Sequence, residues 1–377
     1  MRTHALVAVC LTATLHAAQG ASNLTTQLET IRAQNELPAL GAALVTLEGP
    51  AEVWVTGKRR AGGPENVTSE DLWHIGSCTK AMTATLIELL VARGDLSWEK
   101  ELGELLPDLV TDMHVDFLDL TLVELVSHRA GLAANLDGDF SSIESKDPLQ
   151  QREFLTRLAL TQAPHHAPRG AFLYSNGGFV IAGHVAEVVT KTSWEELMQR
   201  LLFEPLGMQS AGFGPPGTRE TCDQPRGHTP DGKPVEPGSE ADNPPALGPA
   251  GTVHASLADW AKFIQLHLRG SREAVKVGEI ELTPAAFERL HTPYPEAPGQ
   301  KYGYGWVFEK RPWAGGDGLA LWHNGSNTLW YCVTWLGPGN GFAGLATTNV
   351  FTPKAQKAAD EAIQLILKEF EKRQAPR

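Results

Sequence analysis

The sequence predicts an α+β fold: an antiparallel sheet built from both chain ends, flanked by N- and C-terminal helices, with a mostly helical second lobe. Three observations predict it. Strand-like runs cluster toward the two ends, helical spacing fills the middle, and an amphipathic helix closes the chain. Strands from opposite ends are most economically joined into one sheet covered by the first and last helices. The second lobe then spans about residues 95–270, and the cleft between the lobes is the expected place for a site.

The elements follow in order. A helix is expected over about Thr25–Asn35, with Leu28 and Ile31 on one face. Ala39–Leu47 and Glu52–Gly57 read as a hairpin around Glu48-Gly49-Pro50. Thr79–Arg93 is apolar nearly all round, which marks a buried helix, and Gly94 stands where a C-terminal cap belongs. Thr121–Ser127, Pro148–Thr161, Gly177–Thr190 and Ser193–Phe203 all carry helical spacing. Pro and Gly then concentrate over Gly214–Gly251, read as a long surface excursion. Ser256 caps a further helix to about Leu268, with Asp259 three positions on. Tyr302–Glu309, Leu319–Trp322, Leu329–Trp335 and Phe342–Thr348 are short strand runs parted by turn residues. Thr352-Pro353 open the last helix, whose apolar stripe is Ala359, Ala362, Ile363, Ile366, Leu367 and Phe370.

Composition narrows the function. The 377 residues are 42% hydrophobic, enough for a substantial core, and carry a net charge of −12. An acidic chain without a polybasic run has no general attraction for phosphate backbones, so nucleic acid is not an expected partner. The first residues combine Met1-Arg2-Thr3-His4 with an apolar run, Ala5–Ala18, and small residues to Ala21. This reads as a secretory leader over residues 1–20, ahead of one domain over 21–377. The run is too short for a bilayer span, and no later one is long enough, so a secreted or periplasmic protein without a membrane span is expected. Cys10 would leave with the leader. For Cys78, Cys222 and Cys332, a Cys222–Cys332 bridge and three unpaired thiols both stay open. No C-x-x-C, H-E-x-x-H or other clustered ligand pattern calls for a metal, and no cofactor is expected. Gly339–Gly344 matches G-x-G-x-x-G, but a strand-like run follows where a dinucleotide loop needs a helix.

The chemistry centres on His74-Ile75-Gly76-Ser77-Cys78-Thr79-Lys80. Ser77 and Lys80, three apart at the start of the buried helix, fall on one face. Backbone N–H groups at the helix start favour developing negative charge beside Ser77. Burial lowers a lysine's proton affinity, so a neutral Lys80 amine can take the serine proton. Ser97-Trp98-Glu99-Lys100 repeats the spacing, but in a charged surface stretch where the lysine is solvated. Tyr174-Ser175-Asn176 lies in a turn before a helix: the tyrosine can relay a proton, and Asn176 offers a donor and an acceptor to an amide or ester. His323-Asn324-Gly325-Ser326 falls between two strand runs, where the glycine permits close approach of a backbone or ligand.

These three motifs, in this order and 97 and 149 residues apart, resemble the serine β-lactamase and penicillin-binding-protein superfamily, with its Ser-x-x-Lys, Tyr-x-Asn and Lys/His-x-Gly. More narrowly they resemble its class C β-lactamase, D-Ala-D-Ala peptidase and carboxylesterase branch. Leu125-Val126-Ser127-His128-Arg129-Ala130-Gly131-Leu132, Gly248-Pro249-Ala250-Gly251 and Tyr302-Gly-Tyr-Gly-Trp306 extend the resemblance over essentially the whole mature chain. It implies a β-lactamase/transpeptidase-like fold and an acyl-serine intermediate at Ser77. Lys80 and Tyr174 would share the base and acid work, which of them starts being left open. It also implies that Asn176 holds the acyl side chain, that the Ser77 and Ser326 amides form an oxyanion hole, and that His323 and Gly325 line the cleft. The resemblance implies hydrolysis of an amide, peptide, ester or lactam bond in a small molecule or a cell-wall peptide. His323 in place of lysine is a poor anchor for a carboxylate, which favours peptidase, D-amino-acid amidase or esterase chemistry over a true β-lactamase. Arg129 is a candidate source of the missing charge. The alternative is a non-hydrolytic binder of penicillins or peptidoglycan peptides.

Overall fold

The computed structural model describes residues 23–135, 147–295 and 299–375. The leader expected over residues 1–20 lies outside them. Seven antiparallel strands form the main sheet, in the order Tyr302–Gly303, Trp306–Lys310, Leu319–Ser326, Tyr331–Gly337, Phe342–Thr348, Ala39–Thr46, Glu52–Gly57. The two chain ends meet inside it as the fifth and sixth strands, with Leu40 opposite Thr348 and Thr46 opposite Phe342.

The residues at this seam explain why it forms. Ala39–Thr46 and Phe342–Thr348 are rich in Ala and Gly and almost wholly buried, because helices cover both faces. Leu40, Ala42 and Leu44 join one apolar cluster with Leu24 and Leu28 of the first helix (residues 23–34) and with Ala359, Ala362 and Ile366 of the last, Pro353–Gln374. The alternate residues Ala39, Ala43 and Val45 face the larger core, where Leu257, Trp260 and Phe263 of helix Leu257–Gly270 lie. This is the period-two alternation of a two-sided sheet. A Cβ on Gly344 would stand 3.1 Å from Ile363, and one on Gly41 2.9 Å from Leu257, so both helices sit at glycine distance.

The helix Thr79–Arg93 runs through the core with no polar face and ends at Gly94 in the left-handed conformation, φ 87°. Leu122–Val126 is capped by Thr121 and Glu124 acting reciprocally, and Ser256 Oγ caps helix Leu257–Gly270 by accepting from Asp259 N at 3.2 Å. Several expectations shift. The run Tyr302–Glu309 is broken at Tyr304 (φ 54°) and Gly305 (φ 84°), where the chain turns back on itself. Leu319–Trp322 continues to Ser326, so the His323–Ser326 motif lies inside a strand, not between two. Ser193–Phe203 divides into an α-helical turn, Trp194–Met198, and a π-helical one, Gln199–Phe203. The Gly214–Gly251 stretch is not a surface excursion throughout: Arg226, His228 and Ala250 are buried. Cys222 and Cys332 do not pair. All three described cysteines are free, and Cys332 Sγ lies 3.5 Å from Cys78 Sγ. Among the described residues no helix is long and apolar enough to cross a membrane, and no cluster of His, Cys, Asp or Glu is arranged for a metal.

In the middle of the chain, helix Pro148–Leu160 is fastened to helix Asn176–Thr190 by a buried ion cluster. Arg152 Nη2 lies 2.5 Å from Glu187 Oε1 and 2.7 Å from Glu195 Oε2, with Arg152 and Glu187 both out of solvent. Burial alone pushes the Glu187 carboxyl up; bonds from His184 and Arg152 overcome it and hold the group below its ordinary range. Removing one partner leaves the other charge buried and uncompensated. Arg152→Leu is therefore expected to destabilise the fold by about 3–5 kcal/mol, read from the midpoint of urea unfolding. A loss below 1 kcal/mol would mean that Glu187 escapes to water.

Candidate active site

The Ser77 turn is shaped by close backbone contact. Gly76–Cys78 form a 3-10 turn that leads into helix Thr79–Arg93, and Gly76 sits at φ 47°. A Cβ on Gly76 would lie 2.4 Å from Ser326 N, and a Cβ on Gly325 2.0 Å from Ile75 O and 2.8 Å from Ser77 N. Two residues without side chains thus let the serine turn rest directly on the end of strand Leu319–Ser326. Ser77 N and Ser326 N come to the same edge. A third glycine acts at the other side, where a Cβ on Gly305 would stand 2.4 Å from Ala81 N.

Lys80 is fully buried one turn behind Ser77. Its Nζ lies 3.0 Å from Ser77 Oγ, 2.8 Å from Asn176 Oδ1 and 2.7 Å from Ala250 O. Desolvation pulls the amine down to about 7. Charged, the amine donates to all three oxygens; neutral, it keeps N–H bonds to the Asn176 and Ala250 oxygens and turns its lone pair to the serine hydroxyl. Asn176 opens helix Asn176–Thr190, and its Nδ2 donates to Asn135 Oδ1 at 3.2 Å. Ala250 belongs to the short helix Gly248–Gly251, which Thr83 also binds by donating to Pro249 O at 2.8 Å.

Tyr174 stands over this amine, its ring centroid 4.9 Å from Lys80 Nζ. Burial pushes its phenol well up, partly offset by a hydrogen bond with Ser77. His128 holds the ring from behind, with centroids 4.3 Å apart, and its Nδ1 accepts the Ser175 N–H at 3.1 Å. Thus Ser77, Lys80, Tyr174 and Asn176 converge on one point, with Gly325 and Ser326 along its edge.

His323 has a different setting from the one a cleft-lining anchor would need. It is buried, its Nε2 lies 3.0 Å from Tyr302 Oη, and its Nδ1 lies 2.5 Å from Asn324 O. Desolvation, then repulsion from Lys80, pulls the imidazole down to about 3, so it is neutral at pH 7. Arg129 is no substitute: it is buried, donates to Gly170 O and Gln300 O, and packs 5.5 Å from the Phe172 ring. Lys100, of the second Ser-x-x-Lys, is exposed. Sequence reasoning assigned no role to Tyr302 beyond its motif, to the Ala250 carbonyl, or to His74, Asp242 and Asn327. A carbonyl leaves no trace in residue type, and Asp242 lies in a Pro-rich stretch whose path no periodicity reveals.

The family model described as Beta-lactamase matches residues 29–368. The chain is 28% identical over 334 residues to Penicillin-binding protein 4 of Amycolatopsis lactamdurans, covering 86% of this chain and 84% of that one. It is 26% identical over 265 residues to Unguisins hydrolase ungD' of Aspergillus campestris, covering 66% of this chain and 46% of the relative. Among solved structures, D-alanine carboxypeptidase AmpC from Burkholderia cenocepacia superposes with a TM-score of 0.73 at 22% identity, over 93% of this chain and 99% of that one. This last likeness is one of fold.

The Gly325 contact generates a prediction. Gly325→Ala forces a methyl against Ile75 O and Ser77 N, which must push the serine turn off the strand. Labelling of Ser77 by a fluorophosphonate, followed by intact mass, is expected to slow by about 10²-fold, the scale of losing one oxyanion donor. Labelling at the parent rate would contradict the contact.

Proposed function

The chain belongs to the Beta-lactamase family, and on that premise we propose that it is a secreted or periplasmic serine hydrolase that forms an acyl-serine at Ser77 and cleaves amide, peptide or ester bonds. The observation that carries this reading is the triple contact of Lys80 Nζ with Ser77, Asn176 and Ala250. In the neutral amine the lone pair takes the Ser77 proton while Oγ attacks the substrate carbonyl. The negative charge that develops on the carbonyl oxygen is met by the Ser77 and Ser326 amides. Tyr174, protonated at neutral pH, passes a proton to the leaving group as its bond to the acyl carbon breaks. Water then attacks the acyl-serine, the same groups work in reverse, and Ser77 recovers its proton. The contrast between Lys80, pulled down to about 7, and Tyr174, pushed up, favours Lys80 as the first base. Asn176, held by Lys80 and Asn135, is the group that receives the acyl part.

Substrate class follows from His323. A neutral, buried imidazole supplies no positive charge for a carboxylate beside the scissile bond. This favours esters and peptide amides, D-amino-acid derivatives included, over the lactams of a true β-lactamase. Similarity to a penicillin-binding protein keeps one further reading in view, a protein that acylates on penicillin and turns over slowly or not at all.

Two measurements test the proposal. Intact mass after mixing with a penicillin, and separately with an activated ester, reads both adduct and turnover. Serine-dependent ester turnover without a stable penicillin adduct is expected. A stable penicillin adduct on Ser77 without ester turnover would favour the binder, and a Ser77→Ala variant that retained full turnover would remove the mechanism. Lys80→Ala is expected to slow acylation by about 10²–10⁴-fold. The acylation rate should also follow the neutral fraction of Lys80. Protonation fills the lone pair, so the rate falls about tenfold per pH unit below a midpoint near 7 and levels off above it. A rate flat from pH 5 to 9 would exclude Lys80 as the base.

A further inference from the structure

Behind the serine turn lies a buried pair that the mechanism above does not use. His74, out of solvent at the end of strand Leu72–His74, accepts the Gly76 N–H through Nδ1 at 3.1 Å. That leaves the ring proton on Nε2, which stands 2.7 Å from Asp242 Oδ1; the Asp242 side chain is only 4% exposed. The same carboxylate oxygen accepts from Asn243 N at 2.7 Å and from Asn327 Nδ2 at 3.1 Å. Asn327 directly follows Ser326, and its Oδ1 in turn accepts from Leu329 N at 3.2 Å. Asn243 Nδ2 donates to Gly251 O at 3.0 Å, next to the carbonyl that holds Lys80. One buried carboxylate therefore meets His74, which holds the serine turn, and Asn327, which follows the cleft strand, while its neighbour Asn243 binds the turn that carries Ala250.

We propose that Asp242, acting through His74 and Asn327, is a positioning residue that sets the distance between the Ser77 and Ser326 amides. The proposal rests on the reading of Ser77 as the nucleophile. Gly76 occupies a backbone region open mainly to glycine, and its N–H needs a fixed acceptor to stay there. His74 is that acceptor, and the Asp242 carboxylate, 2.7 Å from Nε2, is the polar group set against the other side of its ring. A buried pair of this kind adds little to stability compared with an apolar replacement, so its value lies in placement. Two amides act together on one oxyanion only while their spacing is held.

The test uses the full chain with Asp242→Ala, Asp242→Asn, His74→Ala and Ser77→Ala. Active sites are titrated with a fluorophosphonate, and turnover of an activated ester is expressed per titrated site. Asp242→Ala is expected to lower kcat per site by at least about 10-fold with KM changed less than about twofold, because ground-state binding does not depend on the oxyanion spacing. Asp242→Asn keeps an acceptor oxygen and the side-chain shape, and is expected to recover most of that loss. His74→Ala cuts one of the two branches and is expected to lose no more than Asp242→Ala, and the variant carrying both substitutions should be no worse than Asp242→Ala alone. Parent kcat per titrated site in Asp242→Ala overturns the proposal. So does a loss confined to the number of titrated sites, which is a folding defect, and so does an asparagine variant no better than alanine. Ser77→Ala separates the two readings. If it is inert while Asp242→Ala is unimpaired, only the relay fails; if it retains turnover, the nucleophile assignment fails and the relay with it.

Discussion

The burial of Lys80 is the constraint on which the rest of the site depends. Its amine has no path to water, so it must either carry a charge at heavy cost or give up its proton. Moving it from 10.5 to about 7 corresponds to roughly 5 kcal/mol, set against the folded state at neutral pH. The sign follows from the depressed value: the cost grows as pH falls from 10.5 toward 7 and is complete below that. Such a group persists only where its N–H bonds are met, and the Asn176 and Ala250 oxygens meet them. Those oxygens come from segments more than 70 residues apart in sequence. The helices around them are therefore required to converge on this amine, and the serine lies where they converge.

The sheet does the complementary work from the opposite side. Its order brings the strand that ends at Ser326 beside Tyr331–Gly337, which pairs with Phe342–Thr348, which pairs with the first strand of the chain. Small residues make this stacking tight. Alanine and glycine at the seam let two helices lie against it, and Gly325, Gly76 and Gly305 let backbone meet backbone around the serine turn. The donors that the proposed mechanism calls on, Ser77 N and Ser326 N, are backbone groups, so they can be placed only by the fold, and any side chain interposed between turn and strand would separate them.

The fold was legible because its signals are periodic. The Ala-rich strand runs, the all-apolar helix Thr79–Arg93 and the striped last helix each state their environment in their own residues. The catalytic candidates were legible for a different reason, since Ser77 and Lys80 lie on one turn of one helix and their proximity is local. What escaped was non-local or backbone-borne. Nothing in the residues around Asp242 says that it meets His74 from 168 positions away. The turn at Tyr304-Gly305 carries one local sign, the glycine at 305, but nothing in the type of Tyr304 announces its positive φ. The Cys222–Cys332 alternative fell for the same reason: the partner that touches Cys332 is Cys78, brought there by the serine turn resting on the sheet.

His323 illustrates how one residue's setting narrows the chemistry of a site. A lysine at that position would face the same burial and the same repulsion from Lys80 that hold the imidazole neutral. It would keep a charge only with a counter-ion, and the neighbours of His323 are the Tyr302 hydroxyl and the Asn324 carbonyl, neither of them charged. Imidazole suits this pocket because its two nitrogens meet one donor and one acceptor without carrying charge. The ring then braces Tyr302, which packs against His128, which in turn supports Tyr174. In this arrangement the third motif supports its neighbours through packing and lays the Gly325–Ser326 backbone against the serine turn. On the proposed mechanism, a site built this way draws no charge from His323 toward a carboxylate next to the scissile bond.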